Sequence, residues 1–350
     1  MTRVWLVRLG KNGEYEASAL QNNLLTIGFG IKEDISSLKD REALIAKMAA
    51  LFPNDKLNMH RNFAAQVNQF VNVAQIGDLV VTPMKTSSTI AIGRIDGPYK
   101  PGSDGAVTRA VRWIKTELPR DTFRQDLLYS FGAFMTVCEI TRNDALGRVQ
   151  KVLETGKDPG DGALPPSGSK ATLAAGIEEI GADQPFDLER TARDQIERRI
   201  GSVFTGHDFT RLVAAILDAQ GYRAHVSPPG ADNGVDIVAG NGPLGLDSPR
   251  IVAQVKSGTV LVDQPTLQAL IGSIQDTHAD HGLIVSWGGY TNAVRKRINE
   301  LYFRVRLWGR QEVVDNLLAV YERLPEDIKA ELPLGRFWML VPDDEAGAEI

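Results

Sequence analysis

Between Thr155 and Lys170 the chain reads TGKDPGDGALPPSGSK, and no regular element can run through it. Four glycines and three prolines break any helical or strand period, and little in the stretch can be buried. The chain must therefore fold as separate parts on either side of an exposed connector. Its 350 residues suit that division, since a domain ordinarily takes about 100–200. Composition and periodicity place a first domain over residues 1–153, a connector over 154–183, a second domain with a leading helix over 184–324, and a tail over 325–350.

The first part alternates short β-rich runs with amphipathic stretches: Val4–Leu9, Leu24–Phe29, helical patterns near Asp40–Leu51 and Asn62–Phe70, then strands at Gly77–Val81 and Thr89–Ile95. Ala110–Ile114 and Phe134–Ile140 add strands, and Asn143–Leu153 reads as a closing helix. The expectation is a mixed, β-barrel-like α+β domain. After the connector, Leu188, Ala192, Ile196 and Ile200 recur every four residues on one helical face. From Asp208 the order is helix, three strands (Arg223–Ser227, Val235–Ala239, Ile251–Ser257), helix (Pro265–Thr277), strand (Leu283–Trp287), helix (Asn292–Tyr302), strand (Val305–Trp308) and helix (Glu312–Arg323). Such β-α-β-α-β units make parallel neighbours with helices on the sheet faces, so the second domain is α/β.

Within Arg250–Lys256, RIVAQVK, strand alternation puts Ile251, Ala253 and Val255 on one face and Val252, Gln254 and Lys256 on the other. One strand earlier, Asp236 stands between Val235 and Ile237, where a carboxylate is costly to bury without donors or a cation. Adjacent pairing brings the three polar groups to one sheet edge. A carboxylate, an amide oxygen and an ammonium so arranged suit phosphodiester hydrolysis with a divalent metal, magnesium or manganese, because such ions prefer oxygen ligands. Asp236 and Gln254 would hold the metal, and Lys256 would position water and stabilise charge on the phosphate.

Phe209 to Leu324 resembles the catalytic domain of Mrr-type restriction endonucleases, in the wider PD-(D/E)xK nuclease superfamily. The matching text is DFTRLVAAILDAQGY, GADNGVDIVA, PRIVAQVKSG, HGLIVSWGGYTNAV and WGRQEVVDNLLAVYERL. The resemblance implies an αβββαβ core in which Asp236 is the conserved acid, Gln254 fills a place that is usually Asp or Glu, and Lys256 is the catalytic lysine. It also implies cleavage of DNA, often modified DNA, with magnesium. Mrr-like domains often carry a Glu after the helix phenylalanine, whereas Thr210 follows Phe209 here; Asp208 is the nearest acid, with helix capping as its alternative role. Asp232 and Asn233 read as turn formers, and Arg295, Lys296 and Arg297 either contact phosphates or form a solvated helix face.

The net charge of −5 at first disfavours a nucleic-acid partner. Taken by segment it is +5 over residues 1–152, −4 over 153–203, −1 over 204–324 and −5 over 325–350, so the acidity sits in connector and tail. In the first domain Arg109, Arg112 and Lys115 interleave with aromatic residues, a composition suited to phosphate contact and base stacking. The run GDLVVTPMKTSSTIAIGRIDGPY resembles the strand-turn-strand of the EVE and PUA-like barrel families, some of which bind modified nucleobases in an aromatic-lined pocket. That resemblance implies modified-base recognition, with Trp5, Phe29, Tyr99 and Trp113 as pocket candidates; a buried aromatic core would give the same residues.

Other classes fall away. No phosphate-binding loop of the G-x-x-x-x-G-K-[ST] kind is present, so no nucleotide cofactor is expected. No apolar run reaches the ~18 residues that span a bilayer. The single cysteine, Cys138, precludes an internal disulfide and suits the reducing cytoplasm. The expected partner is DNA, methylated or otherwise modified, met by a homodimer or by a dimer formed on DNA, because each site cuts one strand. The alternatives are a structure-specific repair or recombination nuclease, and an inactive DNA-binding sensor that keeps the fold.

Overall fold

The run VWLV offers no polar position, which suits a strand covered on both faces. In the computed structural model, which describes residues 2–102, 105–133, 135–160, 188–228 and 234–336, Val4–Val7 forms strand β1 with all four residues buried. Trp5 and Val7 join Leu25, Ile27, Val80 and Val111 in one core. Val4 and Leu6 join Leu79, Val81, Ile90 and Ile92 in another. The chain divides into two compact units, Met1–Thr191 and Ala192–Ile350.

The first unit continues with α1 (Glu16–Asn22), β2 (Leu24–Ile27), α2 (Arg41–Leu51), α3 (Leu57–Asn68), β3 (Leu79–Pro83), β4 (Thr89–Pro101), β5 (Val107–Pro119), α4 (Gln125–Phe131), β6 (Val137–Glu139) and α5 (Ala145–Thr155). Its sheet has the order β2-β5-β4-β3-β1-β6. Strands β1 and β3 run parallel, and the other pairs are antiparallel. Among the described strands, β2 and β6 are joined only through the four between them, so the β-rich α+β organisation takes the form of a mixed sheet. Leu44, Met48, Ala64 and Val67 of α2 and α3 fill the first core; Leu127, Phe131, Val149 and Val152 of α4 and α5 fill the second. Helices α1 and α4 have no counterpart in the sequence reading. Cys138, on β6, has its thiol pushed up to about 11 by burial, which leaves it protonated and unreactive.

Arg148 of α5 is 1% exposed, and a guanidinium so buried requires acceptors. It donates to Asp158 at 2.8 and 2.6 Å and to Asp126 at 3.0 Å. Asp158 also accepts the N–H groups of Arg124 at 2.8 Å and Gly160 at 2.9 Å. Burial opposes its charge, but these donors hold its carboxyl below the usual range. At the start of the expected exposed connector Thr155, Gly156, Lys157 and Pro159 are exposed, and Asp158 departs from the expectation because Arg148 draws it inward. Residues 161–187, with the remainder of the connector, lie outside the described residues.

The second unit and the helix leading into it comprise α6 (Leu188–Val203), α7 (His207–Ala219), β7 (Arg223–Val226), β8 (Ile237–Asn241), β9 (Asp247–Lys256), α8 (Gln264–Asp276), β10 (His281–Ser286), α9 (Asn292–Arg297), β11 (Val305–Trp308), α10 (Arg310–Val320) and α11 (Glu326–Glu331). This is the expected αβββαβαβα order. The sheet order is β11-β10-β9-β8-β7; β9, β10 and β11 are parallel, and β7, β8 and β9 antiparallel. Helices α7 and α10 cover the face carrying Ala253 and Val255, while α8 and α9 cover the face carrying Val252 and Ile284.

Two boundaries differ from the sequence reading. Helix α9 stops at Arg297 rather than Tyr302, because tight turns follow it, Leu301 N–H donating to Ile298 O at 3.1 Å and Arg304 N–H to Leu301 O at 2.8 Å. The expected tail begins as structure: Ile328 and Leu332 are 1% exposed in the core, and the Tyr321 hydroxyl donates to Leu332 O at 2.7 Å. The Phe337–Leu340 run lies outside the described residues. No described helix is long and apolar enough to cross a membrane.

The buried Arg148 cluster makes the first unit acid-sensitive. Asp158 has a folded pKa below its unfolded value of about 3.9, so its contribution is complete above that pH and is lost as pH falls through the folded value. Arg148→Met strands two acids and should cost roughly 3–5 kcal/mol. In thermal melts between pH 7 and pH 3, Asp158→Asn should show a lower melting temperature at pH 7 and a smaller further drop in acid than the wild type.

Candidate active site

Strand β8 begins at Ile237, paired with Ala253, so Asp236 stands one step beyond the ladder and opposite Gln254. Its N–H donates to Ala253 O at 2.9 Å, and its carbonyl accepts Ser227 N–H at 2.9 Å. With β8 not yet begun, the N–H of Val255 lacks a strand partner, and the Asp236 carboxylate supplies one, Oδ2 accepting it at 2.7 Å. The acid is thus anchored to β9 between the positions of Gln254 and Lys256.

Gln254 is 6% exposed, and its Oε1 is buried without a hydrogen-bond partner. A buried amide oxygen left unpaired is costly, so its persistence in the fold points to a ligand. Gly234 permits the packing: its φ is +78°, and a Cβ there would lie 2.9 Å from Gln254 Nε2. Lys256 is exposed at the end of β9. The strand end is braced on two sides, since Lys256 O accepts Trp287 N–H at 2.9 Å and Ser257 Oγ accepts Gly206 N–H at 2.9 Å. Trp287 meets Phe209 edge to face with centroids 5.4 Å apart, and Arg310 lies 5.2 Å over its ring. Sequence reasoning missed Gly234, Gly206 and Arg310; only the glycine at the head of GVDI carried a signal.

Asp208 does not join this group. Its carboxylate lies 3.6 Å from Arg211, which donates to Asp327 at 2.8 Å and Glu331 at 2.7 Å. Nor does it cap α7, since Gly206 occupies that position with φ +55° and ψ −125°, a backbone that favours glycine. Thr210 is buried against the helix core. Among the described residues no set of three or more His, Cys, Asp and Glu side chains could hold a metal. The oxygen donors that fit one are Asp236 and the orphaned Gln254 Oε1, a small set that suits an ion retaining several waters. Asp232 and Asn233 lie outside the described residues. Arg295 and Lys296 are exposed on α9, and Arg297 lies 3.6 Å from Glu300.

Two candidates in the first unit are corrected. Arg109 is 3% exposed and faces inward, donating to Gly97 O at 3.1 and 2.9 Å, Phe70 O at 2.9 Å and Ala74 O at 2.7 Å. The π-helical turn Gln69–Val73 leaves two of those carbonyls for it. Trp5 is 1% exposed and gives its indole N–H to Asp78 at 2.8 Å, so it forms core rather than a pocket wall. Phe29, Tyr99 and Trp113 pack on the same core but stay partly open. Phe29 adopts φ +76° and lies 5.2 Å from Phe63. The Tyr99 hydroxyl accepts Ile35 N–H at 3.1 Å and donates to Asp34 at 3.3 Å; burial and the Asp34 charge raise its pKa. The indole of Trp113 donates to Ala19 O at 3.0 Å. Arg112 and Lys115 are exposed on β5, with Asp96 3.9 Å from Arg112.

An acid at the head of one strand and a Gln-x-Lys at the end of its antiparallel neighbour, on a mixed sheet covered by helices, define a domain of restriction-endonuclease type. Residues 202–317 match the restriction endonuclease family, so the second unit carries the domain that the Mrr-type resemblance implied. Residues 5–139 match a domain of unknown function, DUF8426. No curated protein matches the chain. Among solved structures the chain is similar to AF1548, a protein of unknown function, at 13% identity and a TM-score of 0.25, over 30% of this chain and 63% of that one. It thus spans less than two thirds of that protein's length. It is also similar to the DNA modification-dependent restriction endonuclease AspBHI, at 17% identity and a TM-score of 0.31, over 77% and 70% of the two chains. A third similarity is to the MspJI restriction endonuclease in complex with a 27-mer oligonucleotide, at 11% identity and a TM-score of 0.26, over 79% and 69%.

The contrast between two neighbouring cations can be measured. Arg109→Leu strands three carbonyl oxygens and should lower stability by roughly 3–5 kcal/mol, whereas Arg112→Ala should leave the melting temperature unchanged. Thermal melts of both variants at neutral pH decide it.

Proposed function

We propose that the chain is a metal-dependent DNA endonuclease of defence type, cutting methylated or otherwise modified DNA. The observation that carries this reading is the orphaned, buried Oε1 of Gln254 beside an acid fixed to the same strand, with an exposed ammonium two residues on. Asp236 and Gln254 would hold magnesium or manganese, which when bound polarises a phosphoryl oxygen and lowers the pKa of a bound water. Lys256 places its Nζ against a non-bridging phosphate oxygen, donates a hydrogen bond and offsets the charge that builds as water attacks. Val255 N–H keeps the Asp236 carboxylate oriented throughout. No side chain needs to act as a covalent nucleophile.

The proposed organisation is a recognition domain over 1–153, a connector over 154–183, the nuclease over 184–324 and a tail over 325–350. In the first unit Phe29, Tyr99 and Trp113 offer partly open aromatic surface for an extruded base, and Arg112 and Lys115 offer phosphate contacts. Cleavage of both strands calls for two copies of the chain on DNA. The reading places the protein in the cytoplasm, with its DNA.

Two measurements test it. Asp236→Asn retains an oxygen for Val255 N–H, so it should melt like the wild type yet nick supercoiled plasmid at least about a hundredfold more slowly with Mg2+ or Mn2+; Lys256→Ala should do the same. Undiminished nicking by both would sink the site. The second measurement digests matched duplexes with and without cytosine or adenine methylation, beside branched and single-stranded DNA. Preference for methylated duplex supports the defence reading, preference for branched DNA a repair nuclease, and binding without cleavage an inactive sensor.

A further inference from the structure

Beyond Lys256 the chain crosses to α8 through Ser257–Val262, and both ends of this crossing are fixed. Ser257 Oγ accepts Gly206 N–H at 2.9 Å. Val262 forms a parallel bridge with Tyr290, donates its N–H to Gly289 O at 2.9 Å and accepts Thr291 N–H at 3.0 Å. That anchor is itself held from below, because the buried Tyr290 hydroxyl shares its one proton between Ile284 O at 2.9 Å and Trp308 O at 2.8 Å. The middle of the crossing is seated on Gly288, where a Cβ would come within 2.4 Å of Val260 O and 2.6 Å of the Thr259 carbonyl carbon. The backbone is therefore immobilised at three places.

On this fixed backbone Val260 is 80% exposed and Leu261 45% exposed, while Val262 is 3% exposed. Single exposed apolar residues are ordinary, but two adjacent ones on a braced loop next to a functional lysine are not. Their surroundings are cationic. Lys256 precedes the loop, and α9, which carries the exposed Arg295 and Lys296, starts at the Thr291 that binds Val262. The next acid along the chain, Asp263, is turned to its own helix and accepts from Thr266 N–H and hydroxyl at 3.1 and 2.7 Å.

We propose that Thr259–Leu261 is an apolar finger that enters a groove of duplex DNA beside the phosphate addressed by Lys256. Val260 and Leu261 press on sugars and base edges, and Lys256, Arg295 and Lys296 meet the flanking phosphates. Apolar wedges of this size are used by proteins that lean into a groove, and the cations around this one match a polyanion rather than a second copy of the same positive surface. The inference rests on the nuclease reading and deepens it by assigning strand positioning to a loop outside the metal-holding group.

The test uses the full chain and whichever duplex of the methylation panel the wild type cuts fastest. In a Lys256→Ala background, which blocks cutting, affinity for that labelled duplex is measured over a salt series. Val260→Ser with Leu261→Ser should melt normally, bind about tenfold more weakly than the Lys256→Ala parent and keep that parent's slope of log affinity against log salt, because it removes no further phosphate contact. Arg295→Ala with Lys296→Ala should flatten that slope by about 2. With Lys256 restored, the serine variant should nick more slowly by a similar factor. Unchanged affinity and nicking in the serine variant overturn the finger while leaving the nuclease reading intact. Conversion of a dimer to monomers by the same variant in sedimentation also overturns it, giving the surface to a second copy. A wild type that neither binds nor cuts any DNA overturns both.

Discussion

Where β8 has not yet begun, the N–H of Val255 would be left without a strand partner, and the carboxylate of Asp236 takes that place. A hydrogen bond to a charged acceptor is worth more than a neutral one, about 1.5–3 kcal/mol, so this contact is both a structural cap and a fixed orientation for an acid. Because Val255 lies between Gln254 and Lys256, fixing the acid on its N–H fixes it against both. The strand period then does the rest, sending Gln254 and Lys256 to the face covered by α8 and α9 and leaving Val255 in the opposite core. The crowding of Gly234 on the Gln254 amide follows from the same geometry.

The parts of this arrangement legible in the sequence are those set by alternation. RIVAQVK lies between two different cores, so a slip of one residue would put the Lys256 ammonium in the buried apolar place of Val255 and Val255 in the polar place of Gln254, and such a penalty specifies register strongly. The same logic made the strand and helix order of the second unit readable. What alternation cannot show is whether a residue of known type is covered. Trp5 and Trp113 look alike in sequence, yet the first is sealed under two helices and the second remains partly open. Arg109 and Arg112 both read as phosphate contacts, and the difference between them is made by Phe70 and Ala74, whose carbonyls, in and just after a π-helical turn no sequence rule announces, accept from Arg109. Asp158 was invisible for a similar reason. Its neighbours are Lys157 and Pro159, with a glycine beyond each, but its partner is a buried arginine ten residues earlier.

These placements change what the charge count means. The +5 over residues 1–152 includes the buried Arg109 and Arg148, but also the buried Glu16 and Asp78 and the Asp126 bound to Arg148, so the sum alone does not say which charges face a polyanion. In the second unit the sum of −1 belongs to residues 204–324, where Asp280 is taken up by the backbone of Arg250 and by Ser248 before β10, while Arg211 of α7 is taken up by Asp327 and Glu331 of α11. Lys256, Arg295 and Lys296 belong to the opposite end of that sheet from Asp280, where the parallel strands β9 and β10 finish. Local field at a strand end, not net charge, decides whether a phosphate is drawn in, because salt screens exposed charges beyond about 10 Å. On the proposed reading, the attraction for DNA in the second unit is thus concentrated where the anchored acid, the orphaned amide oxygen and the braced apolar loop converge.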